Sequence, residues 1–229
     1  MAPLLLSMVG LLLLTASGAA ARPVTVNSVK YVVTNEALPT LGGKRFESEV
    51  GTDFTVKVLR NATAFAWKVF RQSPNERKQD VDVINLFVRV VPGIAFTVGN
   101  NITIGDDYVE KVPSVRVSIT ETYFHEVAHV WQPFGEGQPI GLIEGIADYV
   151  VLKAGLGTWA KPGKGTRWDQ GYDATALFLD YCASFRSTFV ADLIRLMPVK
   201  YSDSYFEQLL GKTVDQLWAD YKAKYGDGQ

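Results

Sequence analysis

The two histidines of this chain, His125 and His129, constrain its fold more than any other feature. They stand four residues apart in an apolar stretch, and no other histidine occurs among the 229 residues. On an α-helix, residues i and i+4 lie on one face, one turn apart, so both imidazoles can bind a single metal ion. Glu126 would project beside that ion. The spacing therefore predicts a helix and favours a metal centre over a chance pair of helical histidines.

The residues around this motif predict a mainly helical C-terminal half. The pattern predicts helices over 118–132 and 139–154, an irregular stretch over 155–171, a helix from about 173, and three shorter helices in the tail. Three capping-box patterns are present, at Ser118 with Glu121, Ser204 with Glu207, and Thr213 with Gln216.

The N-terminal half has a mixed pattern. Apolar residues recur at helical spacing over 54–71, which predicts one helix. Alternating or β-branched runs predict strands over 24–29 continuing into 31–33, and over 82–91, 94–98, 102–104 and 115–117. The two halves together indicate the α+β class.

Two histidines leave a zinc site one protein ligand short. The chain offers no third histidine, so the remaining ligand must be a carboxylate or Cys182. Glu144 and Asp148 stand at i and i+4 on the second predicted helix, where one can bind the metal and the other can accept the free N–H of a ligand histidine. We favour Glu144 as the ligand with Asp148 behind it, and the reverse order stays open.

Peptide hydrolysis would need two further groups. Glu126 can take a proton from a water at the metal and pass it to the leaving amine. The oxyanion needs a donor, and because both histidines are committed to the metal, a tyrosine, an arginine or a backbone N–H must serve. Tyr172, at a predicted loop-to-helix junction, is the first choice, with Tyr149 and Tyr123 as alternatives.

Composition and charge exclude several classes of protein. The chain is 47% hydrophobic and 21% charged, as is ordinary for a globular protein. A net charge of −1 gives no electrostatic reason to expect nucleic acid or an anionic membrane as partner. Cys182 is the only cysteine, so no intrachain disulfide can form, and we expect a buried thiol. A monomer is expected.

Residues 1–21 have the pattern of a secretory signal peptide, with an apolar run over 4–14 and small residues before a cleavage site after Ala21. The apolar run is shorter than the roughly 20 residues that a spanning helix needs. On the secretory route, Asn101 and Asn61 are glycosylation candidates. Asn101 is the better one, because it lies in a turn-like stretch, whereas Asn61 falls in a predicted helix.

Four stretches, over 65–70, 125–132, 141–150 and 171–182, resemble the plant basic secretory protein family, which is grouped with pathogenesis-related defence proteins and with peptidases of plants and bacteria. The resemblance implies a zincin-like fold, an extracellular (apoplastic) location and a role in plant defence. Two departures stand out: this chain is slightly acidic, and residues 89–94 lack the acidic character associated with the family.

The expected protein is a single zincin-like domain over 22–229, with a mixed α/β part over 22–117, a helical part over 118–229 and the active-site cleft between them. A His-Glu-x-x-His motif followed by a glutamate resembles the gluzincin arrangement. We expect a secreted metallopeptidase with one catalytic zinc ion and a peptide or protein substrate. The alternative is a catalytically weak or inactive defence protein that keeps the scaffold and binds a microbial or cell-wall component.

Overall fold

A computed structural model describes residues 23–226, and the predicted signal peptide lies outside this range. The strands are β1 (Lys30–Asn35), β2 (Val83–Arg89), β3 (Ala95–Val98) and β4 (Asn101–Gly105). The helices are α1 (Leu41–Glu49), α2 (Gly51–Val69), α3 (Asp106–Lys111), α4 (Val115–Trp131), α5 (Ile140–Lys153), α6 (Tyr172–Phe185), α7 (Phe189–Leu196), α8 (Ser204–Leu210) and α9 (Val214–Tyr225).

The strands form one mixed sheet in the order β1-β2-β4-β3. β1 and β4 both run parallel to β2, whereas β3 is antiparallel to β4 and forms an edge of the sheet. Two parallel neighbours need a crossover connection, and α1 and α2 provide it between β1 and β2. Ile84, Leu86 and Val88 are fully buried at alternate positions of β2, which defines the inner face of the sheet.

Helices α2 and α4 pack against each other beside this inner face. Leu59 and Ala66 of α2 and Ile119 and Val127 of α4 are fully buried in the core. The same core continues through α5 and α6, so the sheet and the helices of the C-terminal half share one hydrophobic interior. This shared core fixes α4 between the sheet on one side and α5 on the other.

The loop between α4 and α5 is held by the segment after α7. The backbone N–H of Glu136 donates to the carbonyl of Val199 at 3.0 Å, and the N–H of Tyr201 donates to the carbonyl of Glu136 at 2.8 Å. Gly135 lies so close to the carbonyl oxygen of Met197 that a Cβ atom would stand 1.9 Å from it. These contacts fix the short return that places α5 against α4.

Most of the predicted elements are confirmed. The mixed α+β class, the strands predicted over 82–91, 94–98 and 102–104, and the helix predicted over 54–71 are present, with bounds shifted by a few residues. Residues 155–171 contain no helix or strand, as expected. Cys182 is a buried free thiol. No helix within residues 23–226 is long and apolar enough to cross a membrane.

Two strand predictions are wrong, one in part and one in whole. The strand predicted over 24–29 and 31–33 is present only in its second half, where residues 31–33 lie in β1. Residues 24–29 form a turn, because the Ser28 hydroxyl bonds both to the N–H and to the carbonyl of Thr25 and replaces ladder hydrogen bonds. Residues 115–117 form the first turn of α4, where Val115 is buried and Arg116 donates to the backbone carbonyl of Glu49. Tertiary packing thus extends the helix by three residues beyond the predicted start at Ser118.

Several local features also differ from what the sequence predicts. The capping box at Thr213 and Gln216 is formed, but Ser118 and Ser204 lie inside their helices and do not cap them. No pattern in the sequence predicts α1 or α3. Asn101 is the first residue of β4 rather than part of the preceding turn, and its side chain is exposed; Asn61 is exposed on α2, in the helix predicted for it.

Close packing of α5 on α6 depends on Gly145. A Cβ atom there would stand 2.3 Å and 2.4 Å from the methyl carbon and the Cβ of Thr175. The Thr175 side chain cannot rotate freely, because its hydroxyl donates to the Trp168 carbonyl at 2.7 Å and accepts from the Gly171 N–H at 2.8 Å. The added atom must therefore push the two helices apart.

We expect Gly145→Ala to lower the free energy of unfolding by about 1–3 kcal/mol, because overpacking outweighs the better helix propensity of alanine. Urea unfolding measures the change. Ala64→Val, on the exposed side of α2, is the control and should change the free energy of unfolding by less than about 1 kcal/mol. Wild-type stability for Gly145→Ala would contradict this account of the α5–α6 contact.

Candidate metal centre

Three potential ligand atoms converge where α4 faces α5. Nε2 of His125 lies 3.0 Å from Nε2 of His129 and 3.1 Å from Oε2 of Glu144, and the third side of the triangle, from His129 Nε2 to Glu144 Oε2, is 3.6 Å. The two histidines lie one turn apart on α4, and the first half of α5 supplies the carboxylate. The three side chains form a compact candidate metal site.

The spacing of these atoms fits a zinc ion. A tetrahedral zinc with ligand bonds of about 2.0–2.1 Å holds its ligand atoms roughly 3.3 Å apart. The three observed distances lie on both sides of that value. Two imidazoles and one carboxylate are also a donor set that zinc accepts in catalytic sites, where a fourth position stays open.

Each histidine has a polar partner at its other ring nitrogen. Oδ1 of Asp148 lies 2.7 Å from Nδ1 of His125. The side-chain amide of Gln132 lies 2.8 Å from Nδ1 of His129, and its Oε1 atom has no hydrogen-bond partner. Rotating this amide by 180° would bring the unpartnered oxygen to Nδ1–H, which leaves Nε2 of His129 free to bind a metal.

The electrostatics of the cluster favour positive charge. Burial disfavours protonation of His125, but hydrogen bonds to Asp148 and Glu144 outweigh it and raise the pKa of His125 to about 10. Burial acts to raise the pKa of Glu144, but hydrogen bonds to the two histidines outweigh it and lower that pKa to about 2. A cation at this position is therefore stabilised by two neighbouring carboxylates.

Glu126 lies beside the cluster and is almost wholly buried, with 4% of its surface exposed. Its Oε2 atom accepts a hydrogen bond of 2.6 Å from the hydroxyl of Thr97 on β3. The carboxylate nevertheless lines the open cleft. Glu126 is thus oriented by the edge strand of the sheet and available to a molecule in the cleft.

Tyr172 also lines the cleft, beside His125. Its ring stacks on that of His125, with centroids 6.1 Å apart and planes 15° apart. Negative charge on Glu144, together with partial burial, raises the pKa of its hydroxyl, which keeps the hydroxyl protonated as a donor. Tyr172 also has a positive φ of 47°, a strained conformation for a residue with a side chain.

The cleft has a volume of about 810 Å³ and lies between β3 and the helices. Its apolar wall includes Ile94, Phe96 and Phe134, and Glu121 and Asp173 add carboxylates beyond those of the cluster. No lysine or arginine is among its lining residues within 23–226. The cleft is therefore large enough for a peptide segment and negative in potential.

The predicted site residues fall into two groups. His125, His129, Glu126, Glu144, Asp148 and Tyr172 all line this one cleft. The alternative donors do not line it: Tyr123 is fully buried at hydrogen-bond distance from Thr55, and Tyr149 is buried in α5. Cys182 is buried in α6 and is likewise not among the lining residues.

Sequence reasoning missed two residues of the site. Gln132 follows His129 by three positions and is the C-cap residue of α4, so i, i+3 spacing could have pointed to it. Thr97 has no such signal. It reaches Glu126 only because the sheet places β3 against α4.

Comparison with known proteins points to peptidases. The family model described as "Peptidase of plants and bacteria" matches residues 26–221 of this chain. A basic secretory protease of Boswellia serrata is 46% identical over 59 residues, which is 26% of this chain and 67% of that protein. The match to the family model thus extends over nearly all of the residues that the structure describes.

Solved structures that match part of this chain include an M1 zinc metallopeptidase from Deinococcus radiodurans, which is 16% identical over 73% of this chain, with a TM-score of 0.45. A mutant of this peptidase bound to a Tyr-Ser-Ala substrate is 16% identical, with a TM-score of 0.42. The chain spans 43% of the length of each of these structures.

Metal content distinguishes the two carboxylates. We expect about one zinc ion per chain in the wild type, and less than a tenth of that in His129→Ala and Glu144→Ala, because each loses a ligand. Asp148→Asn should keep the ion but bind it about 10–100-fold more weakly, because Asp148 acts through His125. Elemental analysis and competition with a chelator measure both quantities.

Glu121→Gln is the control for metal content, since Glu121 lines the cleft but is not among the hydrogen-bond and ion-pair partners of the cluster. It should bind zinc as the wild type does. Loss of zinc in Asp148→Asn together with its retention in Glu144→Ala would reverse the two roles.

Proposed function

The chain belongs to the family of peptidases of plants and bacteria, and from this premise we propose that it is a secreted zinc metallopeptidase that hydrolyses peptide bonds. One observation carries the proposal. The ligand atoms of His125, His129 and Glu144 converge beside the carboxylate of Glu126, in a cleft open to solvent. A zinc ion bound there would act as a Lewis acid and lower the pKa of a water molecule to near neutral.

The side chains around the site divide the remaining work. Glu126 accepts a proton from the attacking water and delivers it to the leaving amine, as a general base and then a general acid. Tyr172, whose raised pKa keeps its hydroxyl protonated, donates a hydrogen bond to the oxyanion of the tetrahedral intermediate. Asp148 and Gln132 orient the two imidazoles through their Nδ1 atoms.

The cellular setting is part of the same proposal. Removal of residues 1–21 would leave a single zincin-like domain over 22–229 that acts in the extracellular space, with Asn101 as its first glycosylation candidate and Asn61 as the second. The name of the Boswellia serrata relative, a basic secretory protease, supports secretion. A role in plant defence and a monomeric state follow from the family resemblance and the sequence.

Replacement of Glu126 by glutamine tests the chemistry. The change keeps the shape of the side chain and removes the proton acceptor, so we expect the rate of peptide cleavage to fall about 100-fold or more. Zinc content should stay at the wild-type value, because the carboxylate is not one of the ligands. Cleavage of a quenched fluorescent peptide library measures the rate.

Glu110→Gln, an exposed change on α3, is the matched control and should keep full activity. Full activity of Glu126→Gln would refute the assignment of Glu126. A zinc-loaded wild type that cleaves no peptide would instead favour the non-catalytic scaffold.

The charge of the cleft predicts a substrate preference. Glu121 and Asp173 line it and have no ion-pair partner among the described residues. Peptides with a lysine beside the cleaved bond should therefore be hydrolysed about two- to tenfold more efficiently than matched peptides with a glutamate. The double variant Glu121→Gln, Asp173→Asn should lose that preference. Equal ratios of kcat/KM in the two proteins would contradict it.

A further inference from the structure

Thr97 makes the one polar contact between the edge strand β3 and the carboxylate of Glu126. Its hydroxyl oxygen lies 2.6 Å from Oε2 of Glu126 and 3.2 Å from the backbone carbonyl oxygen of the same residue. A threonine hydroxyl carries a single proton. The shorter distance assigns that proton to the carboxylate, where a bond to a charged acceptor is stronger.

The position of Thr97 is fixed by the sheet rather than by Glu126. Thr97 pairs with Ile102 of β4, which is fully buried. Its neighbours Phe96 and Val98 are 46% and 66% exposed, so alternation along β3 turns the Thr97 side chain towards α4. The hydroxyl is therefore held in place before any substrate arrives.

A carboxylate that transfers protons needs this kind of support. The Glu126 side chain has three rotatable bonds, and no second hydrogen bond to its carboxylate is formed by the described residues. A displacement of about 1 Å in a catalytic group can reduce the rate about 100-fold. The bond to Oε2 restricts rotation and leaves Oε1 for the reaction.

We propose that Thr97 is a positioning residue that holds the carboxylate of Glu126 in the orientation required for proton transfer. This inference rests on the proposed peptidase function. Thr97 acts through Glu126, so it should affect the chemical step and leave both substrate binding and metal binding unchanged. The edge strand is in this way part of the catalytic machinery.

Three threonine variants test the proposal in the zinc-loaded protein. Thr97→Val removes the hydroxyl and keeps the branched shape, and we expect kcat to fall about 10–100-fold with KM within twofold of the wild type. Thr97→Ser keeps the hydroxyl and should retain kcat within about threefold. Thr34→Val makes the same chemical change at an exposed position of β1 and should have no effect.

Three results would overturn the proposal. The first is a kcat for Thr97→Val within twofold of the wild type. The second is a loss of zinc, or of folded protein at the assay temperature, that accounts for the lower kcat of that variant, since this would make the contact structural only. The third is an equal loss of kcat in Thr97→Ser, because the serine hydroxyl can make the same bond.

A stability cycle tests the contact independently of peptidase activity. Thr97→Val, Glu126→Met and the double variant are compared by their thermal midpoints. If the hydrogen bond exists, the double variant should lose less than the sum of the two single losses. Additive losses would refute the inference. A wild type that cleaves no peptide would refute the proposed function instead, and the cycle separates these two failures.

Discussion

The packing of α5 against α4 is the constraint on which the rest of the site depends. The two histidines occupy one helix and the carboxylate that completes the triangle occupies the next, so the ligand distances of 3.0–3.6 Å exist only while the helices stay in register. Two features maintain that register. The connecting loop is held by backbone hydrogen bonds at Glu136, and Gly145 lets α6 approach α5 from the other side.

The same packing of helices places further polar side chains around the three potential ligands. Asp148 and Gln132 lie behind the imidazoles, at the nitrogens that face away from the cluster. Tyr172 lies beside His125 at the start of α6. The N–H of Gly171 donates to the hydroxyl of Thr175 and fixes this end of the helix, where Tyr172 has its positive φ. Strain at such a position is tolerated when surrounding contacts determine the backbone, and it is common at functional sites. The sheet supplies one further polar group, the hydroxyl of Thr97, which donates a hydrogen bond to the carboxylate of Glu126.

Local sequence patterns predicted the elements whose periodicity is strong. The helices α2, α4 and α5 and the strands β2 and β4 have regular apolar spacing, and each was predicted within a few residues. The errors lie where local and tertiary preferences conflict. Val115 and Val117 are β-branched and favour a strand. Residues 115–117 nevertheless form the first turn of α4, because Val115 is buried in the core there. Helix α1 has Leu41 and Phe46 as its only large apolar residues and two glycines in its first turn, and α3 has only six residues, so neither shows a helical period.

The sequence by itself restricted the donor set of the candidate metal centre. Two histidines at helical spacing and no third one exclude an all-histidine site, which leaves a carboxylate or Cys182 as the remaining ligand. Only the tertiary structure decided which carboxylate faces the histidines and which lies behind them, with Glu144 in front and Asp148 at Nδ1 of His125. It also brought Thr97 to Glu126. The physical reason is that i,i+4 relations are set within one helix, whereas contacts between α5, β3 and α4 depend on how the elements pack.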